Sequence, residues 1–252
     1  MANIEKRRIL VFGDSHVQAV QQALTDGAAS GRYGVEVYFR KIVRQNGETI
    51  GSTSQEEIVE RISGLGPRDL AVSMLMGNFH HVAGLVQHPV PFDFLLPGED
   101  RKPESGCRPV PFRVMEAFFE NNLRPNNRIL RQLVPLSAAP IRHLMAPPPK
   151  ADEALIMKRP EIFKDLGIFE RGISPAPLRL RLWHLQARVM ARLCAEFGAP
   201  LVGVPEGAQC PDGFLKPEYC AEDATHANAG YGALVIKQIE AIMDQGSIFM
   251  DA

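Results

Sequence analysis

The 252-residue sequence predicts an α/β domain: a mostly parallel sheet of about five strands, doubly wound in a flavodoxin-like or related order, with helices on both faces. Two observations predict this fold. Short apolar runs, bounded by Gly, Pro or charged residues, alternate along the chain with longer amphipathic stretches. The composition, 45% hydrophobic, is that of a globular chain long enough to bury a substantial core. We therefore expect residues 1–252 to form a single domain.

Five short runs are predicted as strands. The first is apolar at every position after Arg8, the second alternates and is rich in β-forming residues, and the others are equally short. They are Arg8–Phe12, Val35–Phe39, Leu70–Met76, Ile141–Met145 and Leu201–Val204.

Five amphipathic stretches between these strands are predicted as helices: Val17–Asp26, Ser54–Ser63, Val114–Asn122, Leu178–Phe197 and Gly230–Met243. Ser54 followed by Glu57 is a capping box, and Gly198 marks the end of the fourth helix. Leucine and valine at helical spacing predict the buried face of that helix. Its solvated side is expected to carry Arg179, Arg181 and Arg188.

Two proline-rich segments, near residues 88–111 and 147–177, are predicted as insertions on the domain. Neither has the Gly/Ser composition of a flexible linker. Long loops in a compact domain are often lids or binding loops, and a plain surface loop is the equal alternative for each. The first segment is locally apolar at Phe92 and Phe94, which would either pin the loop to the domain or wall a pocket.

Composition excludes several classes of function. With 28 Lys and Arg against 29 Asp and Glu, the net charge of −1 predicts neither a nucleic-acid partner nor a membrane partner. The polar start, Met1–Arg8, lacks the apolar stretch of a signal peptide, and no 18-residue apolar run is present. The four cysteines show no zinc spacing. We expect a cytoplasmic protein with reduced thiols, a Cys210–Cys220 bridge being the alternative.

Ser15 is the first residue whose position points to chemistry. It ends the sequence Gly13-Asp14-Ser15, directly after the first strand and before a helix. Ligands of open α/β sheets bind beyond the carboxyl ends of the strands, and the helix N-terminus stabilises negative charge there. A nucleophile whose attack creates an oxyanion suits this place. Taken alone, the tripeptide is equally typical of a helix N-cap.

Asp223 and His226 form a second signal, three residues apart before the last helix. In a tight turn the carboxylate can fix the imidazole tautomer, leaving Nε2 free to take a proton from a serine. The alternative is a helix-start turn with a solvated histidine.

Two further signals concern the stabilisation of an oxyanion. Asn78, after the third strand, could donate from its amide, and Gly51, in the loop after the second strand, could donate from its backbone N–H. Ordinary turn residues are the alternative at both positions.

Taken together, the four signals resemble the SGNH, or GDSL-type, hydrolase superfamily. The resemblance rests on FGDSH around Ser15, IGSTS around Gly51, MGNFH around Asn78 and DATHANAGY around His226. The APPP run from Ala146 is similar to the proline-rich end of the family's fourth strand. These motifs extend from about residue 8 to residue 243 and do not cover the two insertions.

The resemblance implies a three-layer α/β/α fold and a serine hydrolase that acts on ester bonds without metal or cofactor. Ser15 would be the nucleophile, His226 the general base, and Asp223 the residue that orients it. The N–H groups of Ser15 and Gly51 and the Asn78 side chain would form the oxyanion hole. The implied substrate is a small ester, with a carbohydrate O-acetyl group preferred. An O-acyltransferase or thioesterase with the same triad, or a non-catalytic binding module that keeps the fold, is the alternative.

The sequence departs from the family pattern around this site. His16 takes the place of the usual leucine or isoleucine, and the third block has Gly77 adjacent to the asparagine and Phe79 where the family has aspartate. We expect His16, Phe79 and His80 to line the substrate pocket. A metal site of His16, His80 and His81 with Asp14 is the competing interpretation. It is disfavoured because adjacent histidines in an extended segment point apart and no metal motif is present.

Overall fold

The computed structural model describes residues 6–43, 47–126 and 128–248 of the chain, so part of the polar start, Met1–Arg8, lies outside the described residues. Its central sheet has five parallel strands in the order β2-β1-β5-β8-β9. These are β1 (Arg8–Gly13), β2 (Gly34–Phe39), β5 (Leu70–Met74), β8 (Ile141–Leu144) and β9 (Leu201–Val202). Two-residue strands form two small pairs, β3 (Ile42–Val43) with β4 (Thr49–Ile50) and β6 (Phe92–Asp93) with β7 (Arg108–Pro109). The predicted five-stranded, doubly wound α/β fold is confirmed.

Helices cover the sheet on both faces. They are α1 (Val17–Thr25), α2 (Gln55–Ser63), α3 (Phe79–Gly84), α4 (Phe112–Asn126), α5 (Arg128–Leu133), α6 (Glu153–Lys158), α7 (Ile168–Arg171), α8 (Ala176–Phe197) and α9 (Ala229–Ile248). Ser54 caps α2 by accepting the Glu57 N–H at 3.1 Å, and Gly198 ends α8 in the left-handed conformation that glycine favours.

Side chains of β1 alternate between the two apolar cores. Leu10 and Phe12 pack with α2, α4, α5 and α8, whereas Ile9 and Val11 pack with α1 and α9. A strand that is buried on both faces is apolar at successive positions, as Ile9 to Phe12 of β1 are. The three layers follow from this double burial.

The order of the strands creates the crevice in which a site can lie. β1 pairs with β2 on one side and with β5 on the other. The strands that follow β1 are therefore added first on one side of it and then on the other, which places a topological switch point beside β1. Ligands of open α/β sheets bind at such a switch point, beyond the carboxyl ends of the strands. The turns that follow β1 and β5 therefore lie side by side.

Several local predictions were wrong. β5 ends at Met74 because Met76 takes a left-handed conformation, with φ of 56°. The helix α3 was not predicted. Arg179 and Arg181 are buried rather than solvated, because backbone carbonyls and the Asp93 carboxylate accept their guanidinium N–H groups.

The first proline-rich segment is pinned to the domain. Phe94 is buried in the core beside α4 and α8, and the buried Asp93 carboxylate pairs with Arg101 and Arg181. All four cysteines are free thiols. Among the described helices, none combines the length and the hydropathy that crossing a membrane requires.

Candidate active site

Ser15, His226 and Asp223 lie in one hydrogen-bonded line. The Ser15 hydroxyl lies 2.7 Å from Nε2 of His226, and Nδ1 of the same ring lies 3.0 Å from the Asp223 carboxylate. An ionised carboxylate only accepts, so Nδ1 carries the proton and Nε2 presents its lone pair to the hydroxyl. A serine in this arrangement can transfer its proton to the imidazole as it attacks a carbonyl carbon.

The loop before α9 shapes the acidic end of this line. Asp223 Oδ1 accepts the backbone N–H groups of Thr225 at 2.9 Å and His226 at 2.7 Å, so the loop folds around its own carboxylate. Burial alone would raise the pKa of Asp223. The hydrogen bond and charge of His226, together with the two backbone N–H groups, outweigh burial and hold that pKa well below its usual value. The carboxylate is therefore ionised whenever the protein is folded near neutral pH.

The turn between β1 and α1 presents Ser15 at a helix N-terminus. Among the described residues, the Ser15 N–H has no protein acceptor, so it is available to a ligand. Its neighbour Asp14 faces away from the reaction line: the Asp14 carboxylate accepts the Met76 N–H at 2.9 Å and pairs with Arg40 at 2.8 Å. Asp14 thereby joins the end of β1 to the turn after β5.

That turn, Met76–Asn78, is held in place by a buried glutamine. Gln186 of α8 donates to the carbonyl groups of Met76 at 3.3 Å and Gly77 at 3.1 Å and accepts the His80 N–H at 2.7 Å. The left-handed Met76 is a costly conformation for a residue with a side chain. Asp14 and Gln186 together stabilise it.

His16 fixes the orientation of the Asn78 amide. Its Nε2 lies 2.8 Å from Asn78 Oδ1, and the ring is only 5% exposed. Burial and the nearby charge of His226 lower the pKa of His16 to about 3, so the ring is neutral and donates its Nε2 proton. With Oδ1 engaged, the Asn78 amide nitrogen is turned toward the loop of Asp223, 3.5 Å from Thr225 Oγ1.

Two of the unusual residues noted in the sequence, His16 and Gly77, fit each other sterically. A Cβ atom at position 77 would lie 2.4 Å from Cδ2 and 2.8 Å from Nε2 of the His16 ring. Glycine directly before Asn78 thus makes room for the histidine that holds the amide.

A cavity of about 120 Å³ opens beside Ser15. Its lining is Asp14, Ser15, His16, Met76, Gly77, Asn78, Phe79 and Val82. His16 and Phe79 therefore line this cavity, and Asn78 lies in the same wall as Ser15.

His80 does not line the cavity, contrary to the prediction. It belongs to α3, a helix rather than an extended segment, and its ring turns inward to Gln186 of α8. Burial lowers its pKa to about 4. His81 is equally buried, and among the described residues no group of three His, Cys, Asp or Glu side chains could hold a metal ion.

Gly51 is not part of the cavity lining either. It has φ of +76°, and a Cβ there would lie 2.1 Å from the Arg40 carbonyl oxygen, so this backbone approach itself requires glycine. Its proposed N–H donation stays a prediction.

Several residues that shape the site were not identified from the sequence: Arg40, Lys150, Gln186 and Thr225. The signal for Lys150 was its place directly after the APPP run, and Gln186 is the polar residue on an apolar face of α8. Arg40 and Thr225 carry no signal of their own, because their roles depend on contacts between distant segments.

No family model matches the chain, and no curated protein matches it. Solved structures similar to it include a candidate acylhydrolase from Bacteroides fragilis, at 14% identity and TM-score 0.49, covering 97% of this chain and 92% of that one. A GDSL-like lipase from Bacteroides thetaiotaomicron has 11% identity and TM-score 0.45, over 95% and 89%. An extracellular lipase from Streptomyces rimosus has 14% identity and TM-score 0.47, over 92% and 99%.

Proposed function

We propose that this protein is a serine esterase that hydrolyses a small ester through an acyl-enzyme on Ser15. One observation carries the proposal: the Ser15 hydroxyl, the His226 imidazole and the Asp223 carboxylate are joined at 2.7 and 3.0 Å beside a cavity at the switch point of the sheet. This arrangement is the one that activates a hydroxyl for attack.

The reaction follows from the proton positions. Ser15 Oγ attacks the ester carbonyl carbon while its proton passes to Nε2 of His226, and Asp223 stabilises the imidazolium that forms. The tetrahedral intermediate collapses as Nε2 returns the proton to the leaving alkoxide, which releases the alcohol. A water molecule then attacks the acyl-enzyme with the same proton transfers and frees the acid and Ser15.

The oxyanion is proposed to bind between the Ser15 N–H and the Asn78 amide. Both groups border the cavity, and the Ser15 N–H also lies at the positive end of the α1 dipole. The His16 contact supports the role of Asn78, because it engages the amide oxygen and leaves the amide nitrogen as the donor, with only a long contact of 3.5 Å to Thr225 Oγ1.

The size of the cavity supports a short acyl group. At about 120 Å³, this cavity is small. An acetyl group fits this space, whereas a long acyl chain would have to extend outside it along the exposed side of Val82. A carbohydrate as the alcohol part is proposed on the family resemblance alone.

Hydrolysis of p-nitrophenyl acetate, butyrate and octanoate tests both the esterase activity and the preference for a short acyl group. We expect kcat/KM to be highest for acetate and to fall with chain length, and Ser15→Ala to abolish turnover while Ser63→Ala, at an exposed position of α2, does not. Preference for octanoate would refute the acyl assignment. Absence of turnover on every ester, or equal rates for Ser15→Ala and the native protein, would refute the function.

A further inference from the structure

The second proline-rich segment, residues 147–177, holds the loop that carries Asp223 and His226. Its first contact is Lys150, whose side chain is 1% exposed. The Lys150 ammonium donates to the carbonyl oxygens of Ala221 at 2.6 Å and Asp223 at 2.5 Å and lies 3.5 Å from the Asp223 carboxylate. An ammonium has three donors, and here each of them faces an acceptor of the same short loop.

The backbone that carries Lys150 is itself fixed by a buried arginine. Arg179, 2% exposed, donates to the carbonyl groups of Lys150 at 2.6 Å, Ala151 at 3.2 Å and Ser174 at 3.0 Å. A chain of contacts therefore runs from α8 through the proline-rich segment to Asp223. Both cations are completely desolvated, which is costly unless hydrogen bonds compensate them.

Further contacts join the same two segments. The Ala224 N–H donates to the Arg159 carbonyl at 3.1 Å, and the Ala224 side chain is buried with Phe163 and Ile168. At the surface, Lys158 pairs with Glu222, but both side chains are more than half exposed, so this pair contributes little.

We propose that Lys150 is a positioning residue for the acid–base pair, holding the Asp223 loop in register with Ser15 and placing a positive charge beside the Asp223 carboxylate. This inference rests on the proposed function. Lys150 touches no reacting atom; it acts through the carbonyl groups and carboxylate of the loop. The proposal also assigns a role to the segment 147–177, which is to hold the loop that carries Asp223.

The charge of Lys150 has a measurable consequence. Burial lowers the pKa of Lys150 and the charge of Asp223 opposes that shift, while the two carbonyl oxygens and the carboxylate around the ammonium favour its charged form. Without this charge, the Asp223–His226 pair would be more negative and would take up a proton more readily. Titratable or charged groups around the pair and the ammonium include His16, His81, Cys220, Glu161 and Arg179. The two histidines are neutral because burial lowers the pKa of each, so neither competes with Lys150 as a source of charge.

The test compares Lys150→Met, which removes the charge at similar volume, with Lys158→Met as the matched control. For each protein, the rate of labelling by a fluorophosphonate and kcat/KM for p-nitrophenyl acetate are followed from about pH 5 to 9. In Lys150→Met we expect the plateau rate to fall about tenfold and the acid limb to move to higher pH by roughly half a unit or more. Lys158→Met should change neither.

A folded Lys150→Met protein with the native acid limb would overturn the inference while leaving the proposed function intact. If Lys150→Met does not fold, Lys150→Arg is the test. This variant keeps the positive charge but loses the compact ammonium group that reaches the two carbonyl groups. We then expect a native acid limb with a lower plateau, and a full plateau overturns the inference. A native protein that neither reacts with the probe nor hydrolyses the ester would overturn the proposed function, and this inference with it.

Discussion

Replacement of Gly77 by alanine tests the steric fit between His16 and the turn that carries Asn78. Position 77 does not have the positive φ that would itself exclude alanine, so the backbone can accept the change. In open space the substitution would stabilise the protein by about 0.4–1 kcal/mol through the unfolded state. The new Cβ, however, would lie 2.4 Å from His16 Cδ2, against about 3.5–4.0 Å for a favourable carbon contact.

The His16 ring has little room to retreat. It is bonded to Asn78, lies 5.1 Å from the His226 ring, and the new Cβ would also be 3.4 Å from Ala146. Overpacking of this kind costs about 1–3 kcal/mol, which for a chain of this size lowers Tm by roughly 2–4 °C per kcal/mol. Displacement of His16 should also release the Asn78 amide and lower kcat.

Thermal and urea unfolding of four proteins measure the effect: native, Gly77→Ala, His16→Ala and the double variant. We expect Gly77→Ala to be destabilising in the native background and neutral or stabilising in His16→Ala, an interaction energy of about 2 kcal/mol. Gly203→Ala is the control, because a Cβ at that position meets nothing within 4 Å. If Gly77→Ala lowers the free energy of unfolding equally in both backgrounds, the steric fit between Gly77 and His16 is refuted.

Three further predictions concern the site and its surroundings. Asn78→Ala should lower kcat roughly a hundredfold, about 3 kcal/mol, and leave KM nearly unchanged. The reason is that the amide binds the oxyanion more tightly than it binds the substrate carbonyl. Full kcat of this variant in steady-state assays would contradict the prediction. Dialysis against EDTA should leave ester hydrolysis intact, since the proposed chemistry needs no Lewis acid, and loss of activity that zinc restores would refute this. Burial lowers the pKa of His16 to about 3 and the pKa of His80 and His143 to about 4. The same side chains titrate near 6.5 in the unfolded chain, so unfolding takes up protons below about pH 6.5. The stability that these neutral rings contribute is complete above about pH 6.5. It should fall by up to about 4 kcal/mol per pH unit as the pH drops toward 4. A urea midpoint that is equal at pH 7 and 5 would contradict the lowered pKa values of these histidines.

The sheet was predictable because its strands are short, mostly apolar runs bounded by Gly, Pro or charged residues, and because each long helix has several turns over which its period can be recognised. The six residues of α3 contain fewer than two turns, which is too short for a period. Its two histidines therefore looked like part of an extended loop. Met76 escaped prediction for a related reason: its left-handed conformation is imposed by Asp14 and Gln186, which are distant in sequence.

The candidate site was predictable where one short segment contains both partners. Asp223 and His226 are three residues apart, and the turn between them brings carboxylate and ring together. Lys150 and Arg179 could not be identified in the same way, because a lysine or arginine is normally exposed. Their burial depends on carbonyl groups supplied by segments that meet only in the folded chain.

The most direct test of the central claim is labelling by a fluorophosphonate followed by intact-mass and peptide analysis, since only an activated serine reacts with this probe. The proposed function predicts one probe per chain, located on Ser15, no labelling of Ser15→Ala, and strongly slowed labelling of His226→Ala. A native protein that stays unlabelled, or a Ser15→Ala protein that is labelled as fast as the native one, would contradict the claim and favour a binding module that keeps the fold without the reaction.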